Sequence, residues 1–126
     1  MRAEAIKMLA LLGALLLCGC TSQSKENAHM LTGGDPDYGA TAISRYGCGS
    51  CHTIPGIAGA HGQVGPPLTG VRNRMVLAGM VPNTPDGLEN WIQDPHSINA
   101  KTAMPTMGMS RTDAVDIAAY LYSIDQ

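Results

Sequence analysis

The chain has 126 residues, one Trp, four Tyr, no Phe and a formal net charge of −2. This length fits one small domain plus a tail, and because the sequence has no run of basic residues, nucleic-acid binding is excluded. With few aromatic side chains to fill a core, the 8 Met, 15 Gly and 8 Pro favour a loop-rich domain that encloses an inserted apolar group.

Residues 1–19 are predicted to be an export signal. Arg2 and Lys7 precede the apolar run Met8–Leu17, which is short for a membrane span. The next stretch, LCGC at 17–20, resembles the bacterial lipoprotein signal, in which Cys20 would carry the lipid and become the new N-terminus. An ordinary cleaved signal and an uncleaved anchor are the alternatives. We therefore expect an exported protein on the periplasmic face, anchored to a bacterial membrane through lipid on Cys20.

Residues 20–34 are predicted to be a flexible tether between this anchor and the domain. The segment is polar, lacks apolar periodicity and ends in Gly33-Gly34.

Residues 35–126 form the predicted domain, which has three helices and long loops. Asp35-Pro36 begins the first helix and Gly47 ends it; Thr84-Pro85 begins the second, which ends before Pro95. A capping box at 110–113 begins the third, where apolar residues recur at helical spacing. The fold class is all-α. Loops this long need something inside the domain that orders them.

The sequence CGSCH at 48–52 is the motif with the clearest chemistry. C-x-x-C-H is the attachment signature of c-type haem: Cys48 and Cys51 would bind the two vinyl groups, and His52 would reach the iron. Two alternatives stay open. A thioredoxin-like thiol pair expects a strand before it, and a structural zinc site would need further ligands such as His61 or His96.

Four segments extend this motif into a family resemblance. GGDPDYGATAISRYGCGSCHTIPG, VGPPLTG, PNTPDGLENWIQDP and TAMPTMGMSRTDAVDIAAYLYS together resemble the small bacterial class I cytochromes c, over nearly all of 35–125. The resemblance implies helices wrapped round one haem c, with the first and last helices crossing. It also implies that the haem is attached through Cys48 and Cys51.

The resemblance further implies that Met104 is the second axial iron ligand, opposite His52. Met107 is the rival for this role, because it lies close by in the same loop. Met109 directly precedes the last helix and is better explained as a hydrophobic staple against Ala114.

Three more site residues follow from the resemblance. The Pro66 carbonyl is expected to accept a hydrogen bond from the ring of His52, and the simpler alternative is a rigid loop without that bond. Arg74 is expected near a haem propionate, with Arg72 as the alternative and a solvated surface arginine as the simpler interpretation. Trp91 is expected to pack against the haem, or to be an ordinary core residue.

With His52 and Met104 both bound to iron, no position is left for a substrate, and the family function of electron carrier is expected rather than an enzyme. The partners would be redox proteins of a respiratory chain, with no small-molecule substrate. One alternative is a haem c subunit fixed within a dehydrogenase or oxidase complex. Another is a five-coordinate gas sensor or peroxidase, which would require the bond from Met104 to be absent or labile.

The expected docking face is apolar. Residues 46–71 and 102–110 contain no Asp, Glu, Lys or Arg. We expect Ile54, Pro55, Ile57, Ala58 and the loop around Met104 to form this face, without the long-range charge that steers many associations.

Overall fold

The computed structural model describes residues 21–124, and most of the regular secondary structure in this range is helical. Five α-helices occur in this range: α1 over residues 21–32, α2 (Pro36–Arg45), α3 (Pro85–Gln93), α4 (Pro95–Ile98) and α5 (Arg111–Ser123). Two short 3-10 turns, Cys48–Ser50 and Val71–Asn73, and an antiparallel hairpin of β1 (Val76–Leu77) and β2 (Val81–Pro82) lie between α2 and α3. The all-α prediction is confirmed. None of the helices in this range has the length and apolar character that a bilayer span requires.

The helix α2 begins and ends where the sequence predicts. The side chain of Asp35 accepts hydrogen bonds from the backbone N–H groups of Asp37 and Tyr38, and Pro36 occupies the first helical position. The chain leaves the helix at Gly47, whose φ of 69° lies in the left-handed region that glycine adopts without strain.

The other two predicted helices are capped in the same manner. The Thr84 hydroxyl accepts from the N–H of Gly87 at 3.0 Å, and the Ser110 hydroxyl accepts from the N–H of Asp113 at 3.1 Å. Pro95 ends α3 as predicted, but it also begins the four-residue helix α4, which the sequence analysis did not predict. The first helical position tolerates proline because its missing N–H would have no partner there.

The helices α2 and α5 cross at close range. A methyl group in place of the hydrogen on Gly39 would lie 2.0 Å from the carbonyl oxygen of Asp116 and 2.9 Å from Cβ of Tyr120. The N–H of Asp35 donates to the carboxylate of Asp116 at 2.8 Å, which joins the start of α2 to the middle of α5. Only glycine permits this approach of two backbones, so the crossing depends on Gly39.

Residues 21–32 differ from the prediction of a flexible tether, because they form α1. Ala28 is 1% exposed, Lys25 forms an ion pair with Asp37, and His29 Nδ1 lies 2.7 Å from the carbonyl oxygen of Gly34. These contacts attach a polar helix to the domain without the apolar stripe that sequence patterns detect. The predicted signal peptide at 1–19 and the predicted lipidation site Cys20 lie outside the described residues.

The hairpin between α2 and α3 has no counterpart in the sequence analysis. Its three-residue turn, 78–80, contains Ala78 and Gly79 with φ of 51° and 73°, both in the left-handed region, and the N–H of Met80 donates to the carbonyl of Leu77 at 3.0 Å. Leu77 and Val81 are buried beneath it. The side-chain amide of Asn83 donates to the carbonyl oxygens at the turn that precedes the hairpin, those of Val71 and Arg74, both at 2.7 Å.

An ion pair with a buried carboxylate joins α3 to α5. Arg111 Nη2 lies 2.9 Å from Glu89 Oε2, and the Glu89 side chain is only 4% exposed. Burial raises the pKa of Glu89, while the charge of Arg111 opposes this shift. Nearby, the Tyr122 hydroxyl donates to Asn83 Oδ1 at 2.6 Å, and burial, with the charge of Glu89, raises the pKa of Tyr122 to about 12. Within residues 21–124 no buried polar side-chain atom lacks a partner.

Asp113 makes stability depend on pH. Its carboxylate accepts from the hydroxyls of Tyr46 at 2.7 Å and Ser110 at 2.8 Å, and from the guanidinium of Arg45. The bond from Tyr46, then that from Ser110, lowers the pKa of Asp113 below its ordinary value of 3.8. A carboxyl whose pKa is depressed by folding stabilises the protein above that value, and the stabilisation is lost as the pH falls through the folded pKa.

The Asp113→Asn variant is therefore expected to lose less free energy of unfolding than the wild type as the pH falls. The free energy of unfolding of the haem-containing protein would be measured in urea from about pH 6 down to about pH 2.5. The wild type should lose stability more steeply than the variant below its ordinary pKa of 3.8. Parallel curves would show that Asp113 does not contribute.

Candidate haem site

The predicted site residues line one cavity. It has a volume of about 540 Å³, within the range of roughly 300–1,000 Å³ typical of ligand and cofactor sites. Its walls are mostly apolar side chains from α2, α3, α5 and the loops between them: Ile43, Ile54, Leu68, Val71, Leu77, Leu88, Ile92, Ile117 and Leu121. All seven predicted cofactor-binding residues line it: Cys48, Cys51, His52, Pro66, Arg74, Trp91 and Met104.

The first turn after α2 presents the two thiols. Cys48 begins a 3-10 turn, and its carbonyl oxygen accepts from the N–H groups of Cys51 at 3.2 Å and His52 at 3.0 Å. The two cysteines are half-buried and are not joined by a disulfide. Burial raises the pKa of the Cys48 thiol. A redox-active pair such as that of thioredoxin requires the opposite shift, since the thiolate is the reactive form.

The two other interpretations of the cysteine pair find no support in the structure. The thioredoxin-like arrangement expects a strand before the motif, whereas α2 precedes Cys48. A zinc site would need additional ligands, and within residues 21–124 no group of three or more His, Cys, Asp or Glu side chains is arranged to hold a metal ion.

The ring of His52 is held by the proline loop. Its Nδ1 lies 2.8 Å from the carbonyl oxygen of Pro66, the contact predicted from the sequence. A carbonyl can only accept, so Nδ1 carries the proton and Nε2 keeps its lone pair for a metal. The loop passes close to the ring: a methyl group on Gly65 would lie 2.3 Å from Cε1 of His52. The N–H of Gly65 also donates to the carbonyl of Cys51 at 2.8 Å.

The last helix, α5, contacts the segment that follows the cysteine motif. The Tyr120 hydroxyl donates to the carbonyl of Pro55 at 2.7 Å, three residues after His52. Burial raises the pKa of Tyr120 above its ordinary value of 10.0. A methyl group on Gly56 would lie 2.5 Å from this hydroxyl oxygen, which shows how closely α5 packs on the segment that follows the motif.

Arg74 has a defined position rather than that of a freely solvated side chain. Its Nη2 donates to the carbonyl oxygens of Pro67 at 2.6 Å and Thr69 at 3.0 Å. The guanidinium has further N–H groups with which to bind a carboxylate, so a propionate partner fits this position. Arg72, the alternative, is exposed and is not among the residues that line the cavity.

The loop before α5 brings two methionines to the cavity. Met104 is half-buried and Met107 is 39% exposed, and both line the cavity. The N–H of Met104 donates to the hydroxyl of Thr102 at 3.2 Å. Met109 is 5% exposed and belongs to the hydrophobic core, as a staple residue should. Both thioethers therefore lie beside a group bound in the cavity.

Trp91 is half-buried and packs against the core while it lines the cavity. The sequence analysis did not assign several other lining residues to the site, among them Tyr46 at the end of α2, and Leu77 and Ala78 in the hairpin. The available signal for the hairpin was the pair Ala78-Gly79 between apolar dipeptides, a weak form of the hairpin pattern.

The side chains that could bind iron or vinyl groups, and the apolar lining of the cavity, fit a haem. Two thiols one turn apart, an imidazole oriented through its Nδ1 and a thioether lie along one cavity whose remaining surface is largely apolar. Thiols in this spacing suit covalent attachment, and imidazole with thioether suits iron in an electron-transfer protein.

Comparison with known proteins agrees with this chemistry. The family model described as Cytochrome c matches residues 36–125. The chain is also 34% identical, over 89 residues, to the protein named "Cytochrome c oxidase subunit 2" from Alkalihalophilus pseudofirmus (strain ATCC BAA-2126 / JCM 17055 / OF4). This match covers 70% of the chain but only 25% of the relative, so the chain spans about a quarter of that protein's length. No solved structure matches the chain significantly. The chain belongs to the cytochrome c family and binds one haem c covalently through Cys48 and Cys51.

Proposed function

We propose that this protein is a single-haem electron carrier in which His52 and Met104 are the axial iron ligands. Membership of the cytochrome c family implies electron transfer rather than catalysis. The observation that carries the ligand assignment is that the imidazole of His52 and the thioether of Met104 line the same apolar cavity as the two thiols.

The residues of this chain give the site its redox character. When bound, the haem iron supplies a one-electron couple between Fe(II) and Fe(III). The Pro66 carbonyl fixes the tautomer of His52 and strengthens the imidazole as a donor. The Met104 thioether is soft and neutral, so it favours the reduced state and raises the reduction potential. Because both axial ligands come from the protein, no position remains for a substrate or oxygen.

A haem c subunit fixed within an oxidase is the second candidate function. The relative that the chain resembles over 89 residues is named as an oxidase subunit, which is compatible with this role. Solubilisation of the native membrane with a mild detergent, followed by size-exclusion chromatography, separates the two candidates. A carrier should elute as one small chain with its bound detergent, whereas a fixed subunit should elute with large partner chains.

The proposed docking face differs in part from the face expected from the sequence. Ile54 and Ile57 are 2% and 9% exposed and belong to the core, so they are unavailable to a partner. Val64 is 79% exposed beside the cavity and is added to the face, which keeps Met107, 39% exposed, from the loop around Met104. The face remains apolar, since residues 46–71 and 102–110 contain no Asp, Glu, Lys or Arg.

An apolar docking face predicts an electron-transfer rate that changes little with salt. The bimolecular oxidation rate with a physiological redox partner should vary by less than about twofold between low and high ionic strength, because no long-range charge steers the encounter. Val64→Lys places a charge on this face and serves as the matched control, whose rate should become salt-dependent. A steep fall of the wild-type rate with salt would contradict apolar docking.

We also propose that the protein is exported and held at the periplasmic face of the membrane by lipid on Cys20. The lipoprotein-type signal at 1–20 supports this location. Helix α1, which begins at residue 21 in the described range, would place the domain close to the bilayer, because α1 is packed on the domain through Ala28.

Cys20→Ala is expected to release the protein into the soluble periplasmic fraction with its haem spectrum unchanged. Two or three acyl chains hold a protein firmly, and their loss should remove most of the membrane-bound fraction. Fractionation with a salt wash and immunoblotting measures this, and Cys18→Ala is the control that should stay bound. A Cys20→Ala variant that remains in the membrane after the wash would show that another anchor exists.

A further inference from the structure

One threonine joins the methionine loop, residues 102–110, to the corner between α3 and α4 through hydrogen bonds. Thr106 Oγ1 lies 3.2 Å from Asp94 Oδ1 and 3.2 Å from His96 Nδ1. A hydroxyl has one proton, which Thr106 donates to the Asp94 carboxylate. His96 therefore carries its proton on Nδ1 and donates it to the hydroxyl oxygen. Both hydrogen-bonding roles of this side chain are directed at the residues that begin α4.

The loop has few other attachments. Within residues 21–124, no backbone–backbone hydrogen bond involves residues 103–109. The amide of Gln93 approaches the carbonyl of Met109 at 3.5 Å, the outer limit of a hydrogen bond. Thr106 is therefore the best-bonded residue of 103–109.

The position of Thr106 separates the two candidate ligands. It follows Met104 by two residues and precedes Met107 by one, and both methionines line the cavity. Met104 is half-buried while Met107 is 39% exposed. With Thr106 held at α4, a slip of the loop that exchanged the two thioethers would break both of its hydrogen bonds.

We propose that Thr106 is a positioning residue that selects Met104 over Met107 as the axial ligand. The proposal rests on the proposed His/Met ligation. Thr106 favours the loop arrangement that presents Met104 to the iron over the one that presents Met107. Each exposed hydrogen bond of this kind changes the ratio of two such arrangements by a factor of roughly 2 to 10.

The test is Thr106→Val, which keeps the shape of the side chain and removes the hydroxyl. The reduced holoprotein, labelled with ¹³C at the methionine methyl groups, is examined by NMR, in which the methyl of an iron-bound methionine has a distinct shift. We expect a second ligand-methionine signal with a population of at least about a tenth. That signal should disappear in the double variant Thr106→Val/Met107→Leu, which identifies its source. Binding of carbon monoxide to the reduced protein should become faster by roughly five- to tenfold, as the bond from Met104 becomes easier to displace.

Matched controls separate positioning from general loss of stability. Thr41→Val removes another exposed threonine hydroxyl, one that donates to the Asp37 carbonyl in α2, and should leave one ligand signal. Thr106→Ser keeps the hydroxyl and should behave as the wild type. His96→Ala removes one of the two bonds and should change the carbon monoxide rate in the same direction by a smaller factor, which keeps the test decisive if Thr106→Val fails to mature.

A single Met104 signal and an unchanged carbon monoxide rate in Thr106→Val would overturn the proposal. Failure of the proposed ligation is a different result: Met104→Leu in the otherwise native protein would then keep the wild-type spectrum. The two failures are distinguishable because the second does not involve Thr106.

Discussion

Met104→Ala is expected to abolish the low-spin spectrum of a His/Met haem and to lower the midpoint potential. Alanine offers no ligand atom, so one axial position is taken by water or left open, and the neutral thioether no longer favours Fe(II). Axial ligands adjust haem potentials over about 0.8 V, and we expect a fall on the order of 0.1–0.3 V here. Potentiometric titration measures the fall, and rapid binding of carbon monoxide by the reduced variant reports the open position.

Met107→Ala is the matched control for this experiment. Met107 lies in the same loop and lines the same cavity, but it is the more exposed of the two methionines. Its replacement should leave the spectrum and the potential near those of the wild type. The ligand assignment would be wrong if Met107→Ala opened the iron and Met104→Ala did not.

Cys51→Ala is expected to reduce the yield of haem-containing protein by more than about tenfold. The variant can form at most one of the two thioether bonds, and the covalent link orders the loops that surround the cavity. Without the haem, a cavity of about 540 Å³ would lack the group that fills it, and the apolar side chains around it would lose those packing contacts.

Haem staining of denaturing gels, compared with an immunoblot for total chain, measures this loss. Ser50→Ala is the control, because Ser50 lies between the cysteines and is exposed. It should mature as the wild type does. A Cys51→Ala variant with normal haem content would contradict attachment through this cysteine.

The parts of the fold that depend on local sequence were predictable. Helix starts at Asp35, Thr84 and Ser110 follow from side chains that bond to the backbone two or three residues onward. The cysteine motif is equally local, because its spacing alone defines the chemistry. These features need no knowledge of distant contacts.

The parts that depend on tertiary contacts were harder to predict. Helix α1 forms on a polar sequence because Ala28 is buried and Lys25 pairs with Asp37, neither of which leaves a periodic pattern. Ile54 and Ile57 lie in a loop without charge, yet they point into the core, since an uncharged loop near a cofactor need not be exposed.

The contact between His52 and Pro66 is a tertiary contact that was predicted, but not from local sequence. It spans 14 residues, and the family resemblance, rather than the local pattern, made it predictable. The side-chain bond from Tyr120 to Pro55 spans 65 residues and was not predicted, because a buried hydroxyl can find many carbonyl partners.

Extraction with acidified acetone tests the central claim most directly. This solvent removes a haem that is held only by axial ligands, but it does not break thioether bonds. If the haem is attached through Cys48 and Cys51, the colour should stay with the precipitated polypeptide and the organic phase should be colourless. Haem in the organic phase, with a colourless polypeptide, would contradict covalent attachment and with it the assignment of this site.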